Sequence, residues 1–128
     1  MTKPVLFLSH LRVKEGAAAD ALALTSRVTD QLRVDKPLTA AFLCFLIEDR
    51  REFTIVHVFA DADAMDRHFE GSDQRASAAY QLFEQVGWEF YGRPSEQAMA
   101  AMRNAAEKTG ASLRVAPEFV AGFLRIGG

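Results

Sequence analysis

Three runs of this chain read as β-strands that are apolar on both faces, and this restricts the fold more than any other feature. In residues 5–12, Val5, Phe7, Ser9 and Leu11 share one face while Leu6, Leu8, His10 and Arg12 share the other. Residues 39–48 and 52–60 form two further strand-like runs, joined by the charged tip Asp49-Arg50-Arg51. A short polar link between two such runs predicts a hairpin. In the second of them Phe53, Ile55, His57 and Phe59 alternate with Thr54, Val56 and Val58, so both faces are again largely apolar. Strands of this kind need cover on both sides.

The cover on one side is legible. Ala17, Ala21, Leu24, Val28 and Leu32 recur at spacings of three and four and predict an amphipathic helix over 17–33, ended by Lys36-Pro37. Asp61 or Asp63 can cap a short helix carrying Met65 and Phe69 that stops at Gly71. Ser72 or Asp73 can cap another, with Ala76, Tyr80, Phe83 and Val86 as its stripe. Residues 87–92, with Trp88, Phe90 and Tyr91, read as a compact aromatic connector. Pro94 and Ser95 open a helix that ends near Gly110, with Met99, Met102 and Ala106 inward. Residues 112–126 are strand-like but broken by Pro117 and Gly122, as one bent edge strand or two short ones.

The order strand, helix, strand, strand, helices, strand predicts an α+β domain of the ferredoxin-like βαββαβ type, with an antiparallel sheet and helices on one face. A chain of 128 residues is expected to form one such domain over 1–128, with an extra helix in its second half. That leaves one face of the sheet bare. The helix at 94–109 could cover part of it; the economical cover is a second copy of the chain, so a homodimer is expected.

Composition removes several functional classes. The formal charge is -2, the pI is near 5.9 and no stretch is strongly basic, so no nucleic-acid partner is expected. Ten Phe against two Tyr and one Trp suggest a dry interior. Cys44 is the only cysteine, which rules out an internal disulfide and a cysteine-based zinc site. It stands in the apolar run 42–47, where a thiol packs as a small hydrophobe. The apolar run near the start is too short for a secretion signal, and no stretch approaches the ~20 apolar residues of a membrane span. The expectation is a cytoplasmic protein with no membrane partner.

Two segments carry a family likeness. Val13-Lys14-Glu15-Gly16 leads into a helix, and Glu52-Phe53-Thr54-Ile55-Val56-His57-Val58-Phe59-Ala60-Asp61-Ala62-Asp63-Ala64-Met65-Asp66-Arg67-His68-Phe69 runs from a strand through an acidic turn into a short helix bearing a His. Together they resemble antibiotic biosynthesis monooxygenase-like domains of the dimeric α/β-barrel superfamily, over about residues 5–87 and the closing strand. Residues 88–111 go beyond that compact domain. The haem-degrading branch carries a Trp and a His on the helix after the third strand; residues 69–80 offer neither, so haem degradation is disfavoured.

What the resemblance implies is oxygenation of a small aromatic or quinol-like substrate without a cofactor, neither metal nor flavin. Such chemistry needs an apolar pocket, a base that helps form the electron-rich anion, and exclusion of water. His57, mid-strand among Phe53, Ile55 and Phe59, is the best catalytic candidate, because burial disfavours its cation. The competing reading makes it a hydrogen-bonded core residue. Trp88 and Tyr80 could shape a substrate-binding pocket, with Tyr91 a further stacking candidate. His68 matches the family's helix His, although Asp66, Arg67 and Glu70 around it suit a solvated face. His10 could join His57 as a paired-His site, but no third ligand accompanies them and no metal is expected. Phosphate loops, nucleophile elbows and paired-carboxylate motifs are missing from the sequence. Two alternatives stand beside the oxygenase: a dimeric module that binds a small molecule without reaction, and an isomerase or dehydratase of the same superfamily.

Overall fold

A computed structural model describes residues 3–47, 49 and 51–125. The elements are β1 (Val5–Val13), α1 (Ala18–Asp35), β2 (Thr39–Ile47), β3 (Glu52–Phe59), α2 (Ala62–Phe69), α3 (Ser72–Leu82), β4 (Phe83–Tyr91), α4 (Glu96–Thr109) and β5 (Ser112–Ala116). The sheet order is β2-β3-β1-β4-β5. The first four strands make the expected antiparallel ferredoxin-like sheet, and β5 adds to its edge parallel to β4.

The first three strands lie where alternation puts them, although Glu48, Arg50 and Ile126, which the expected segments include, fall outside the described residues. Asp61 caps α2 by accepting from the Ala64 amide at 2.8 Å. No Ser72 or Asp73 side chain caps α3; the chain enters it through Gly71 in the left-handed region at φ 74°.

The second half departs from the sequence reading in three ways. Residues 87–91 are not a connector: they are most of β4, the strand that closes the ferredoxin-like unit. Phe83 and Val86 belong to this strand and not to the preceding helix, which ends at Leu82. The pattern is obscured by a bulge. His10 faces Gly87 but Leu11 faces Gln85, so Val86 is an extra residue and the alternation slips by one there. Finally, the segment expected as the closing strand gives, over its described residues 112–125, only the five-residue β5, and 117–125 has no regular structure.

The helices occupy one face. Val5, Phe7, Phe59, Trp88 and Phe90 of the sheet pack with Ala64 and Met65 of α2 and Met99 of α4 in one cluster. Leu11, Val13, Phe53 and Phe83 pack with Ala21 of α1 in another. Helix α4 therefore shares the layer of α1–α3 and covers none of the opposite face, contrary to the option its sequence left open. Its first turn is tied to α2, since Ser95 Oγ accepts from the Ala98 amide and donates to Asp66. The opposite face carries Leu6, Leu8, Leu43, Phe45, Ile47, Val56 and Val58, and Leu43, Phe45 and Ile47 are exposed.

Candidate functional site

Between the sheet and its helices lies a cavity of about 360 Å³, within the range of small-molecule sites. The sheet contributes Phe7, Phe42, Ile55, His57 and Trp88 to its wall, and α1 contributes the predicted stripe Leu24, Val28 and Leu32. His68 and Phe69 of α2, Arg75 and Tyr80 of α3, and Met102 of α4 complete it. An aromatic shell with few polar groups suits a flat, mostly apolar guest.

His57 is buried in this wall and stacks on Phe7, with ring centroids 4.9 Å apart. Its Nδ1 lies 3.0 Å from the Phe7 carbonyl oxygen, which can only accept; Nδ1 therefore carries the proton and Nε2 is the free lone pair. Burial pushes its pKa down to about 4, against the carbonyl hydrogen bond and with help from the Arg75 charge. His57 is a neutral imidazole of fixed tautomer. It is a hydrogen-bonded core residue whose ring also lines the cavity.

His68 is placed differently from what its charged neighbours suggested. It is only 2% exposed, on the face of α2 that also buries Ala64 and Met65. Its ring meets that of His57 edge-on at 5.2 Å, and its Nδ1 is 2.6 Å from Thr39 Oγ1. Burial, then the charges of His57, Arg75 and Lys36, push it down to about 3. Two unprotonated imidazoles therefore stand side by side in one apolar wall.

Trp88 and Tyr80 also line the cavity, Trp88 buried and Tyr80 exposed at its rim. His10 and Tyr91 do not. They lie on the opposite face, where His10 Nε2 is 2.5 Å from Glu89, His10 Nδ1 is 3.3 Å from Thr54 Oγ1, and the Tyr91 hydroxyl donates to Glu89 at 2.6 Å. Hydrogen bonds from Tyr91 and His10 hold the Glu89 carboxyl below its ordinary range. Phe7, not His10, is the β1 residue opposite His57, so the two histidines form no pair. Among the described residues no three His, Cys, Asp or Glu side chains converge as a metal site.

Sequence reasoning missed Arg75. Its guanidinium donates to the His68 carbonyl at 2.9 Å and lines the cavity, with no carboxylate within ion-pair distance among the described residues. Partial burial lowers its pKa, opposed by Asp35. A cation beside two neutral imidazoles favours guests that carry or develop negative charge. Only its place on a helix facing the sheet could have signalled it.

No family model matches the sequence, and no curated protein is significantly similar to it. Solved structures are. MupZ from Pseudomonas fluorescens superposes with a TM-score of 0.73 at 10% identity, covering 96% of each chain. SnoaB from Streptomyces nogalater, a cofactor-independent oxygenase, gives 0.59 at 20% identity, over 72% of this chain and 94% of that one. A candidate antibiotic biosynthesis monooxygenase from Caulobacter crescentus gives 0.60 at 14% identity, over 70% and 88%. The chain thus has the fold of the antibiotic biosynthesis monooxygenase-like domains, the ferredoxin-like α+β fold of the dimeric α/β-barrel proteins.

Proposed function

We propose that this protein is a cofactor-independent monooxygenase acting on a small aromatic or quinol-like molecule bound between the sheet and the helices. The observation that carries the reading is His57: a neutral imidazole in an apolar cavity, its tautomer set by the Phe7 carbonyl so that Nε2 accepts. The substrate hydroxyl passes its proton to that nitrogen, and Arg75 offsets the charge left on the ring. The electron-rich anion reduces dioxygen and the two combine, forming a C–O bond. The peroxide takes that proton back and loses water together with the hydrogen of the oxygenated carbon, leaving a carbonyl there; one O–H and one C–H hydrogen leave with one oxygen atom as water, and dioxygen is both oxidant and oxygen source. Trp88 and Phe7 supply flat apolar surface, and the bound substrate against this apolar lining limits the water that reaches the intermediate.

The test is oxygen uptake with a panel of quinols and hydroxylated polycyclic aromatics. Turnover by the wild type that falls about 100-fold in His57→Ala supports the assignment. Turnover unchanged in that variant refutes the role of His57, and no uptake with any member refutes the oxygenase.

One observation favours a second reading, binding without reaction. An imidazole held near a pKa of about 4 accepts hydrogen bonds well but is a weak base. Recovery of an unaltered aromatic from purified protein, with no oxygen uptake, selects it. In either reading we propose a homodimer joined through the helix-free face, on the strength of its exposed Leu43, Phe45 and Ile47. The described residues contain no helix long and apolar enough to cross a membrane, and the free thiol of Cys44 suits a reducing, cytoplasmic compartment.

A further inference from the structure

His68 is held at its ring and at its carbonyl, and the contact at the ring decides which nitrogen carries the hydrogen. The turn between α1 and β2 is tied to α2: Lys36 Nζ donates to the Arg67 and Glu70 carbonyls at 2.9 Å each, and the Thr39 amide donates to the Lys36 carbonyl at 3.1 Å. This places Thr39 Oγ1 2.6 Å from His68 Nδ1. From the other side Arg75 holds the His68 carbonyl. Between the hydroxyl and Nδ1 only one can donate. The Thr39 hydroxyl meets no other acceptor among the described residues, so its hydrogen goes to Nδ1 and the ring proton stands on Nε2.

His57 has the opposite tautomer, its Nδ1–H spent on the Phe7 carbonyl and its Nε2 a lone pair. Among the described residues neither Nε2 has a protein partner, and no buried side-chain nitrogen or oxygen is left without one. Both nitrogens therefore open onto the cavity that the two rings line. The rings meet edge-on at 5.2 Å, so an acceptor and a donor adjoin in one wall. A hydroxyl oxygen satisfies both at once, since it donates one hydrogen and accepts another.

We infer that His68 is a second catalytic residue, its Nε2–H donating to the same substrate oxygen whose proton His57 Nε2 takes, and that Thr39 is the positioning residue that fixes this tautomer. The inference rests on the binding of a hydroxylated aromatic in this cavity, proposed above, and adds the group that receives the charge. The O–H bond breaks, the hydrogen bonds to His57 Nε2, and the oxyanion faces two N–H donors, one from each ring. His57 alone is a weak base for such a proton, because burial holds its pKa at about 4; a fixed donor on the product oxygen offsets that weakness. His68, pushed down to about 3, stays a neutral ring with a single hydrogen. The charges acting on the pair favour the oxyanion too: Arg75 of α3, with Asp35 acting on it, and Lys36 before β2. Asp73 and Tyr80 of α3 and Cys44 of β2 are the other titratable groups of the lining.

The probe is 4-nitrophenol, whose anion absorbs in the visible. Bound to the wild type it should ionise at a lower pH than in free solution. Thr39→Val, similar in shape but without the hydroxyl, should weaken binding of the anion about 10-fold relative to the neutral phenol. Ionisation of the bound probe then moves back up by about one pH unit, while Thr39→Ser, which keeps the hydroxyl, should behave as the wild type. Imidazole 15N spectra of the ligand-free wild type supply a readout that a packing role would not move: His68 protonated at Nε2 and His57 at Nδ1. A proton on His68 Nδ1 overturns the inference whether or not any variant folds. So does a probe that fails to bind, or one that ionises at the same pH in the wild type and Thr39→Val. His57-dependent oxygen uptake beside any of these results leaves the oxygenase standing. Thr39-dependent ionisation with no uptake from any quinol overturns the oxygenase and supports the donor.

Discussion

The paired imidazoles make a quantitative demand on stability. His57 and His68 have pKa values pushed to about 4 and about 3 in the folded protein, both chiefly by burial. In the unfolded chain each returns to about 6.5. The unfolded state therefore binds more protons between these limits, and the contribution of each histidine is present above pH ~6.5 and lost as the pH falls toward the folded value. For a single group moving from about 6.5 to about 4, linkage gives a loss of about 2 kcal/mol between pH 7 and pH 5, and about 3 kcal/mol by pH 4. Neither folded ring is appreciably charged down to pH 5 and the unfolded rings titrate independently, so in that window the two losses add to about 4 kcal/mol. The window from pH 7 to 5 is chosen because ordinary carboxylates stay largely ionised there. Urea unfolding followed through Trp88, the single tryptophan and a buried one, supplies the assay. The wild type should lose about 4 kcal/mol across the window, and His57→Gln, which cannot titrate, should lose about 2 kcal/mol less than the wild type. Equal pH slopes for the two proteins would refute the burial of an uncharged imidazole at this position.

Three further outcomes are expected. Phe90→Ala, at a fully buried ring stacked on Phe7 at 4.5 Å, should cost about 3–5 kcal/mol in the same unfolding assay. Gly92→Ala should cost about 2–4 kcal/mol, read as a fall in melting temperature: Gly92 has φ 99°, and an added Cβ would stand 2.5 Å from the Pro4 carbonyl oxygen. Cys44, its thiol pushed up to about 11 by burial, should react with a thiol reagent at pH 8 roughly 100-fold more slowly than free cysteine, and at the normal rate once the protein is unfolded in denaturant; fast reaction in the native protein would contradict its placement.

The parts of the fold that could be read from sequence are those whose periodicity is unbroken. β1 and β3 alternate without interruption, β2 does so from Ala41 onward after a register shift at Ala40, and α1 repeats its apolar residues at helical spacing, so their faces followed directly. β4 defeated the same logic because Val86 is an extra residue: Phe83 and Gln85 before it and Trp88 and Phe90 after it share a face only once the bulge is known. That error propagated. With β4 recognised as a strand, the right-handed crossover to the parallel β5 would have put α4 on the common helical layer. His68 was hidden for another reason. It continues the Ala64–Met65 stripe of α2 at i+4 and i+3, but its own polarity and three charged neighbours point outward. Arg75 gave no signal, since a long cationic side chain on a half-buried helix reads as solvated until the cavity beside it is known.

What keeps His57 and His10 apart is the parity of the strands. His57 shares the helix-covered face of the sheet with Phe7, Trp88 and Phe90, where desolvation leaves it uncharged; His10 is on the open face with Glu89 and Tyr91, where a carboxylate partner is within reach. A one-residue slip of β3 against β1 would exchange these faces, turning His57 and Phe59 out of the core together. The bulge in β4 matters for the same reason. Were Val86 paired as an ordinary strand residue instead of bulging out, a β4 paired correctly through Phe83 and Gln85 would send Trp88 and Phe90 to the open face and turn Glu89 into the cavity, in the row of Phe7 and His57. An ionised carboxylate there would favour the imidazolium and remove the neutral acceptor on which the proposed chemistry depends. The irregularity that made β4 hard to read is therefore what gives the cavity its aromatic wall and keeps its histidines unprotonated.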